Sequence, residues 1–407
     1  MKYSEKQYLQ SLTKNQQLDI MNVDFFSDKK LKVIEEENAY VIPPKAVNNE
    51  TTWFIGGVLD KDLKYIKESG QYAYGEKTRV CGQYDFDKSS VKYIDKEVVY
   101  FNYNLNQWGH FLIEVIGRMW YAINNPNCVI VYTGTLGGND LMIGSLLQLM
   151  RLLGINEDRL VFINKITQFK KVIIPETSVL ITKYWTKEYK QIMDTLVENA
   201  LFGYKKADNR KVYCSRKHFS EAKEFGEEKI ENLFRLNGYE IIYMEELSLI
   251  DQIRLLNECE EIVCLSGTLV HNAMLIRNKN CKVTILNKTY KVNPNIYLTN
   301  QLSDATFTFV DAYLSPLPIS IGKGPFIVSI TNKLLKYCSD NNIYLEGVSS
   351  KINNLLLVKY YINYLKKYRK KLLHGEAISE SGFEKYDVSY RDIRRHYKRE
   401  LKVINQL

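Results

Sequence analysis

The sequence predicts an α/β protein made of two successive doubly wound halves that face a cleft, followed by a helical tail. Three observations carry this. The chain has 407 residues, more than one ordinary domain of roughly 100–150 residues would hold. Apolar, β-rich runs alternate with segments of helical period. That rhythm pauses at the polar linker KKADNR, residues 205–210, and then restarts.

The elements follow in order. The first stretch mixes short apolar pieces with charges, and VIPPKAV reads as an early loop because of its proline pair. EVVYFNYN reads as a strand, WGHFLIEVIGRMWYAI as a helix and NCVIVYTG as a second buried strand. DLMIGSLLQLMRLLG carries apolar residues at helical spacing and stops at Gly154. RLVFIN and KKVIIPE are strands, and TKEYKQIMDTLVENALFGY is a helix. A β–α–β alternation of this kind implies a parallel sheet with helices on both faces.

Beyond the linker come KVYCSR (strand), KIENLFRLNG (helix), YEIIYME (strand), LSLIDQIRLLNEC (helix), EEIVCLSG (strand), TLVHNAMLIRN (helix) and CKVTILN (strand). The expected division is 1–205, 206–335 and a helical tail 336–407 that packs back across the two domains. In the tail, Val358, Tyr361, Leu365, Tyr368 and Leu372 form one apolar stripe on a basic helix. A second basic helix, YRDIRRHYKRELKVINQL, closes the chain.

Composition narrows the function. With 45% hydrophobic and 25% charged residues the chain is globular, not disordered or collagenous. No apolar run reaches the ~20 residues that span a bilayer, and the amino end lacks the apolar stretch of a signal peptide. The net charge is +9, but residues 351–407 hold 14 Lys and Arg against 6 Asp and Glu, so nearly all of it lies in the tail. A nucleic-acid-binding surface over the whole protein is excluded on that ground. The seven cysteines are scattered, with no C-x-x-C pair, as expected of a reduced, cytoplasmic protein without a disulfide framework or zinc site. The five histidines form no H-E-x-x-H pattern, so no metal site is expected.

Two segments could carry chemistry. In the second half the strand EEIVCLSG ends at Leu265, and Ser266, Gly267 and Thr268 turn the chain into a helix, whose unpaired amides and dipole favour an anion. Either a phosphate site or a plain helix cap fits those residues. At the end of KVYCSRKH, Ser215, Arg216, Lys217 and His218 cluster where guanidinium and ammonium groups could neutralise a diphosphate; a solvated basic loop is the alternative. Glu246 could accept from ribose hydroxyls or serve as a first-turn acid of the next helix. In the first half, His110, Glu114 and Arg118 lie four residues apart in succession and so share one helical face. A neutral His110, or Glu114 beside it, suits deprotonation of an acceptor hydroxyl; a Glu–Arg pair locking a buried helix is the alternative.

WGHFLIEVIGRMW, VYCSRKH, NGYEIIYMEELSLIDQIRLLNECEEIV and LSGTLVHNAML, in this order, resemble the family 61 glycosyltransferases, notably bacterial members found with capsule and exopolysaccharide genes. GGVLDKDLKYIKESGQYAYG matches the family's early region more loosely, so the likeness spans about residues 50–290. It implies a GT-B architecture, two Rossmann-like domains with the active site between them. It further implies inverting transfer of a sugar from a nucleotide-diphosphate donor, without a cofactor or bound metal. Carried over by position, His110 and Glu114 are the catalytic candidates on the acceptor side. Arg216, Lys217, Glu246, Ser266, Gly267, Thr268 and His271 are the donor-binding candidates, with Arg118, Ser215 and Asn272 in support. Many family members have a glycine-rich, His-containing turn where this chain has Ser266, and Leu269 replaces a small residue.

The implied partners are a nucleotide sugar and a glycan or lipid-linked glycan of a capsular, exopolysaccharide or lipopolysaccharide pathway. The basic tail suggests peripheral contact with an anionic membrane, at the cytoplasmic face of the inner membrane. Two other functions compete: a pyruvyltransferase-like enzyme using phosphoenolpyruvate, and a non-catalytic sugar-nucleotide-binding subunit.

Overall fold

The computed structural model describes residues 24–374, apart from 48–51, 74–77, 182, 208, 220–222, 290–294, 315–316, 318, 320–322 and 349–352. The last basic helix expected from the sequence, at 390–407, lies outside the described residues.

The first half is built on a nine-stranded sheet: β1 (Val33–Glu37), β2 (Tyr40–Ala46), β3 (Thr52–Leu59), β4 (Gln71–Tyr72), β5 (Thr78–Val80), β6 (Lys92–Tyr103), β7 (Ile130–Thr133), β8 (Leu160–Ile163) and β9 (Thr167–Pro175). Its order is β4-β5-β3-β2-β9-β6-β7-β8, with β1 also on β9. The strands β9, β6, β7 and β8 pair in parallel, as the alternating pattern predicts.

The early strands correct that expectation. β1 and β2 pair antiparallel with β9, and β2 with β3, so the sheet is mixed. VIPPKAV is a strand and not a loop. Its register shifts between Ile42 and Lys45, which takes Pro43 and Pro44 out of the ladder, where their missing N–H groups cost nothing. Their carbonyls still accept, Pro43 from the Tyr84 hydroxyl at 2.7 Å and Pro44 from the Leu136 amide at 2.8 Å.

Among the described residues the α-helices of this half pack on one face of the sheet. Phe101, Ile130 and Tyr132 pack under a helical run over 108–124, α1 (Ser145–Leu152) and α2 (Lys187–Leu201). Val98, Tyr100, Val131 and Val172, on the opposite side, pack with Ala39, Val41, Val58 and Ile66. A two-stranded pair, β10 (Val179–Leu180) and β11 (Tyr184–Trp185), precedes α2.

The second half matches its pattern more closely. β12 (Arg210–Cys214), β14 (Glu240–Ile242), β15 (Cys259–Leu265), β16 (Lys282–Asn287) and β17 (Thr306–Asp311) form an all-parallel sheet of order β14-β12-β15-β16-β17. Chain order runs outward from β12 to β14 on one side and from β15 to β17 on the other. The gap between β12 and β15 is therefore a topological switch point, where ligands of open α/β sheets bind. On one face lie α3 (Glu227–Leu236) and the later α6 (Asn332–Asp340). On the other lie α4 (Leu249–Glu258), a 3-10 helix Thr268–Leu275 and the start of α5 (Ile296–Leu302). TLVHNAMLIRN is thus helical, but wound more tightly than the expected α-helix. A short parallel pair, β13 (Glu224–Phe225) and β18 (Phe326–Ile327), sits beside this half.

The two halves share one apolar cluster. Leu249, Ile253, Met274, Leu275, Leu298 and Leu302 of the second pack with Leu149, Ile192, Leu196 and their neighbours of the first. Polar contacts flank it: Trp185 Nε1 donates to Gln301 Oε1 at 2.8 Å, and Arg277 pairs with Asp194 at 2.7 Å.

The final described helix, α7 (Asn354–His374), packs against Phe225, Leu317, Ile319, Phe326 and Ile327 of the second half. Its buried residues are Leu357, Tyr360, Tyr361, Tyr364 and Tyr368. Of the predicted stripe, Tyr361 and Tyr368 are buried, while Val358 and Leu365 are half-buried at its margin. The buried face lies one position earlier, because the tyrosines at 360 and 364 turn inward with their neighbours. Among the described residues no helix is long and apolar enough to cross a membrane.

Candidate active site

The site begins with the helical run that follows β6. Gln107, in extended conformation, starts it, and Trp108–His110 leads into a π-helical turn, Phe111–Val115, and then a 3-10 turn, Ile116–Arg118. The π turn keeps residues four apart together: His110 Nδ1 lies 2.6 Å from Glu114 Oε1. The change of winding after it breaks the longer alignment, so Arg118 does not join them. Its buried guanidinium donates to the carbonyls of Pro175, Phe101, Glu68 and Gly70 and to Asn102 Oδ1. The cation locks the helix onto the sheet by spending its donors on backbone.

Arg79, on β5, takes the place beside Glu114 that the sequence suggested for Arg118. Its Nε donates to Glu114 Oε2 at 2.6 Å and its terminal nitrogen to Oε1 at 3.2 Å. The guanidinium also lies 4.5 Å from the Trp53 ring centroid. Burial alone would raise the Glu114 pKa, but the His110 hydrogen bond and the Arg79 charge overcome it and hold the carboxyl below its usual range. Glu114 is thus a buried carboxylate, whereas about a third of the His110 side chain stays exposed.

The two halves meet at the start of this run. The indole N–H of Trp108 donates to Asn272 Oδ1 at 2.5 Å. Asn272 in turn donates to Gln252 Oε1 at 2.9 Å, which ties the contact to α4. A Cβ on Gly109 would come within 2.9 Å of the Thr268 methyl and 3.0 Å of the His271 ring. His271 is fully buried, and burial together with the nearby His110 lowers its pKa to about 4, so its ring is neutral. Its Nδ1 lies 3.4 Å from the Thr299 hydroxyl.

Thr268 begins the second cluster. The turn Ser266–Gly267–Thr268 leaves the carboxyl end of β15, beside the end of β12, where Arg216 sits. A Cβ on Gly267 would approach the Arg216 guanidinium to 2.9 Å and Lys288 Nζ to 3.7 Å. Ser266 does not cap the helix, which has no side-chain cap; its hydroxyl accepts from the Lys288 amide at 3.3 Å. Arg216 and Lys288 share one carboxylate, Glu224 Oε1, at 3.0 and 2.5 Å. Burial opposes its charge, but Lys288 and Arg216 prevail and bring its pKa down to about 2. Burial lowers Lys288 to about 8 despite Glu224. Glu227, desolvated and close to Glu224, is raised to about 7 while it accepts from the Arg216 amide at 3.0 Å and the Tyr213 hydroxyl at 3.1 Å.

Lys217 and Glu246 occupy the rim. Lys217 Nζ is 3.9 Å from Glu228, both exposed. Glu246 Oε1 is 2.6 Å from His218 Nδ1, and the His218 ring stacks on Tyr243 at 3.7 Å. Ser215 is buried behind them, donating to Glu231 at 3.0 Å and accepting from the Lys217 amide at 3.2 Å. Among the described residues no group of three or more His, Cys, Asp or Glu side chains could hold a metal ion.

Residues 108–284, which run from Trp108 through the Ser266 turn to β16, match the family model Glycosyltransferase 61. Over this stretch, less than half of its length, the chain is similar to the family 61 glycosyltransferases. No curated protein matches the chain. Among solved structures, the glycosyl transferase family 9 protein from Veillonella parvula DSM 2008 aligns with 68% of this chain and all of its own. Identity is 12% and the TM-score 0.28, too distant a likeness to carry an argument about the fold.

Of the residues singled out in the sequence, His110 and Glu114 form one pair, and Arg216 meets Gly267 in a second cluster. His271 and Asn272 lie at the junction between the halves. Arg79, Glu224, Glu227 and Lys288 were not anticipated. Lys288 had a usable signal: it directly follows the apolar strand CKVTILN, at the same sheet edge as Arg216 and Ser266.

Proposed function

We propose that this chain is a glycosyltransferase that moves a sugar from a nucleotide-diphosphate donor to a glycan acceptor, with inversion and without a metal, in a cleft of GT-B type. The observation that carries the reading is the contact chain between the two clusters. His110 adjoins Gly109, Gly109 abuts Thr268, Thr268 adjoins Gly267, and Gly267 abuts Arg216. With about 3.8 Å between consecutive Cα atoms, a base candidate and a cationic cluster lie at the two ends of one short contact chain. An inverting displacement needs that combination: a base on the attacking hydroxyl and positive charge on the departing diphosphate.

His110 is the base in this reading. The ionised Glu114 accepts from Nδ1–H at 2.6 Å, a contact that outweighs the 3.4 Å approach of Arg79 to the same nitrogen. Nε2 is then left with its lone pair for the acceptor hydroxyl. Glu114 orients the ring and stabilises the imidazolium that forms, and Arg79 keeps Glu114 charged. On the donor side Arg216 and the Gly267 turn face the diphosphate at the switch point. Glu246, on the rim next to Tyr243, is the ribose contact, which requires it to turn from His218.

The acceptor is a growing capsular, exopolysaccharide or lipopolysaccharide glycan, and the enzyme works in the bacterial cytoplasm. The last basic segment, residues 390–407, brings it to a lipid-linked acceptor at the anionic leaflet. Deleting residues 390–407 should weaken binding to anionic liposomes and spare nucleotide binding; unchanged liposome binding removes the membrane role. A nucleotide-sugar panel tests the core reading by release of nucleoside diphosphate, with phosphoenolpyruvate as the competing donor. Turnover of phosphoenolpyruvate alone would overturn it.

A further inference from the structure

The cluster behind the Gly267 turn holds a second cation with no assigned task. Lys288 is almost wholly buried, and its ammonium group lies 4.2 Å from the Phe326 ring centroid. An ammonium ion is strongly hydrated, so its burial is costly unless it is paired. Here its ionic partner, Glu224, is shared with Arg216. Two cations thus converge on one carboxylate. Glu227, the other acid in the cluster, is shifted towards its neutral form. The cluster carries more positive charge than its own acids offset.

Placement supplies the second argument. Arg216 follows β12, Ser266 and Gly267 follow β15, and Lys288 follows β16, so three neighbouring strand ends converge at the switch point. The side chain missing at Gly267 leaves a face of backbone that both cations approach. Beside Lys288, the Thr289 hydroxyl is buried and has no hydrogen-bond partner, which is uncommon for a buried polar group that no ligand serves.

We infer that Lys288 is a second cationic contact for the donor's diphosphate, acting with Arg216 across the Gly267 turn, and that Glu224 is the built-in counter-ion holding both cations in place until the diphosphate arrives. The inference rests on the proposed nucleotide-diphosphate donor and deepens it. Glu224 keeps the cations oriented in the empty site. The diphosphate then adds the negative charge that one carboxylate cannot supply to two cations.

Calorimetry on the full chain tests it, with UDP, GDP, dTDP and ADP as probes and the matching nucleosides as controls. Lys288→Met should weaken the preferred diphosphate at least tenfold and leave its nucleoside within twofold. A merely structural lysine would weaken both alike. Because Lys288→Met leaves Glu224 buried without one cation, the pair Lys288→Met with Glu224→Gln is measured beside it; the same selective loss is expected. Wild-type diphosphate affinity in either variant overturns the inference, as does equal loss of nucleoside and diphosphate. If wild-type protein binds none of the four diphosphates, the donor reading itself fails.

Discussion

Gly109 of the first half and Thr268 of the second touch so closely that a single methyl group would not fit between them: a Cβ on Gly109 would lie 2.9 Å from the Thr268 methyl. Trp108 and Asn272 fix the same junction with a 2.5 Å hydrogen bond. The candidate base and the candidate phosphate turn are therefore held in register by direct contact as well as by the shared apolar cluster.

Gly109→Ala should separate these segments. A shift of about 1 Å at a reacting centre can cost on the order of a hundredfold in rate, and overpacking destabilises by roughly 1–3 kcal/mol. The expected result is turnover reduced ten- to a hundredfold with nucleotide affinity changed less, measured by steady-state kinetics and calorimetry on the same preparation.

Arg79→Met should alter the pH profile as well as the rate. Without the guanidinium, burial of Glu114 is opposed by His110 alone and the carboxyl pKa rises. The acidic limb of the kcat/KM profile should then move to higher pH; a limb that stays in place would show that Glu114 need not be ionised.

Arg118→Lys should act on stability and not on the chemistry. Lysine cannot reach five acceptors with a planar fork, and each buried carbonyl left unpaired costs about 1–3 kcal/mol. Chemical denaturation should show a loss of roughly 3 kcal/mol or more. A folded variant with lost turnover and intact stability would show instead that Arg118 takes part in the chemistry.

Glu227 gives a pH dependence with a definite sign. Its folded pKa, about 7, lies above the ordinary 4.5, so the folded state binds more protons between those values. The contribution is fully present below pH 4.5 and is lost as pH rises through 7, amounting to about 3 kcal/mol. Asp311, raised to about 6 by burial, acts in the same direction over a narrower window. Glu227→Gln should flatten the fall in stability between pH 4.5 and 7 in denaturant titrations.

The second half was the more legible in sequence. Its strands are continuous apolar runs ending at Cys214, Leu265 and Asn287, and a buried parallel sheet needs such runs. Small or basic residues then follow at the edge where ligands bind. The first half was less legible because its early strands carry Pro43 and Pro44, which read as loop until a bulge removes them from the ladder. Arg79 lies on a three-residue strand whose partner Glu114 is 35 positions away, a separation that leaves no local pattern. The π turn was equally hidden: four-residue spacing placed His110 beside Glu114 correctly, and extended to eight it misplaced Arg118.

The central claim is that His110 removes the acceptor proton while the second half holds the nucleotide. Its most direct test is nucleoside diphosphate release from the preferred nucleotide sugar, with matching acceptor, by wild-type protein and His110→Ala. Loss of a general base should slow release by about a hundredfold or more, with nucleoside diphosphate affinity unchanged in calorimetry. Equal release rates in the two proteins would contradict the account.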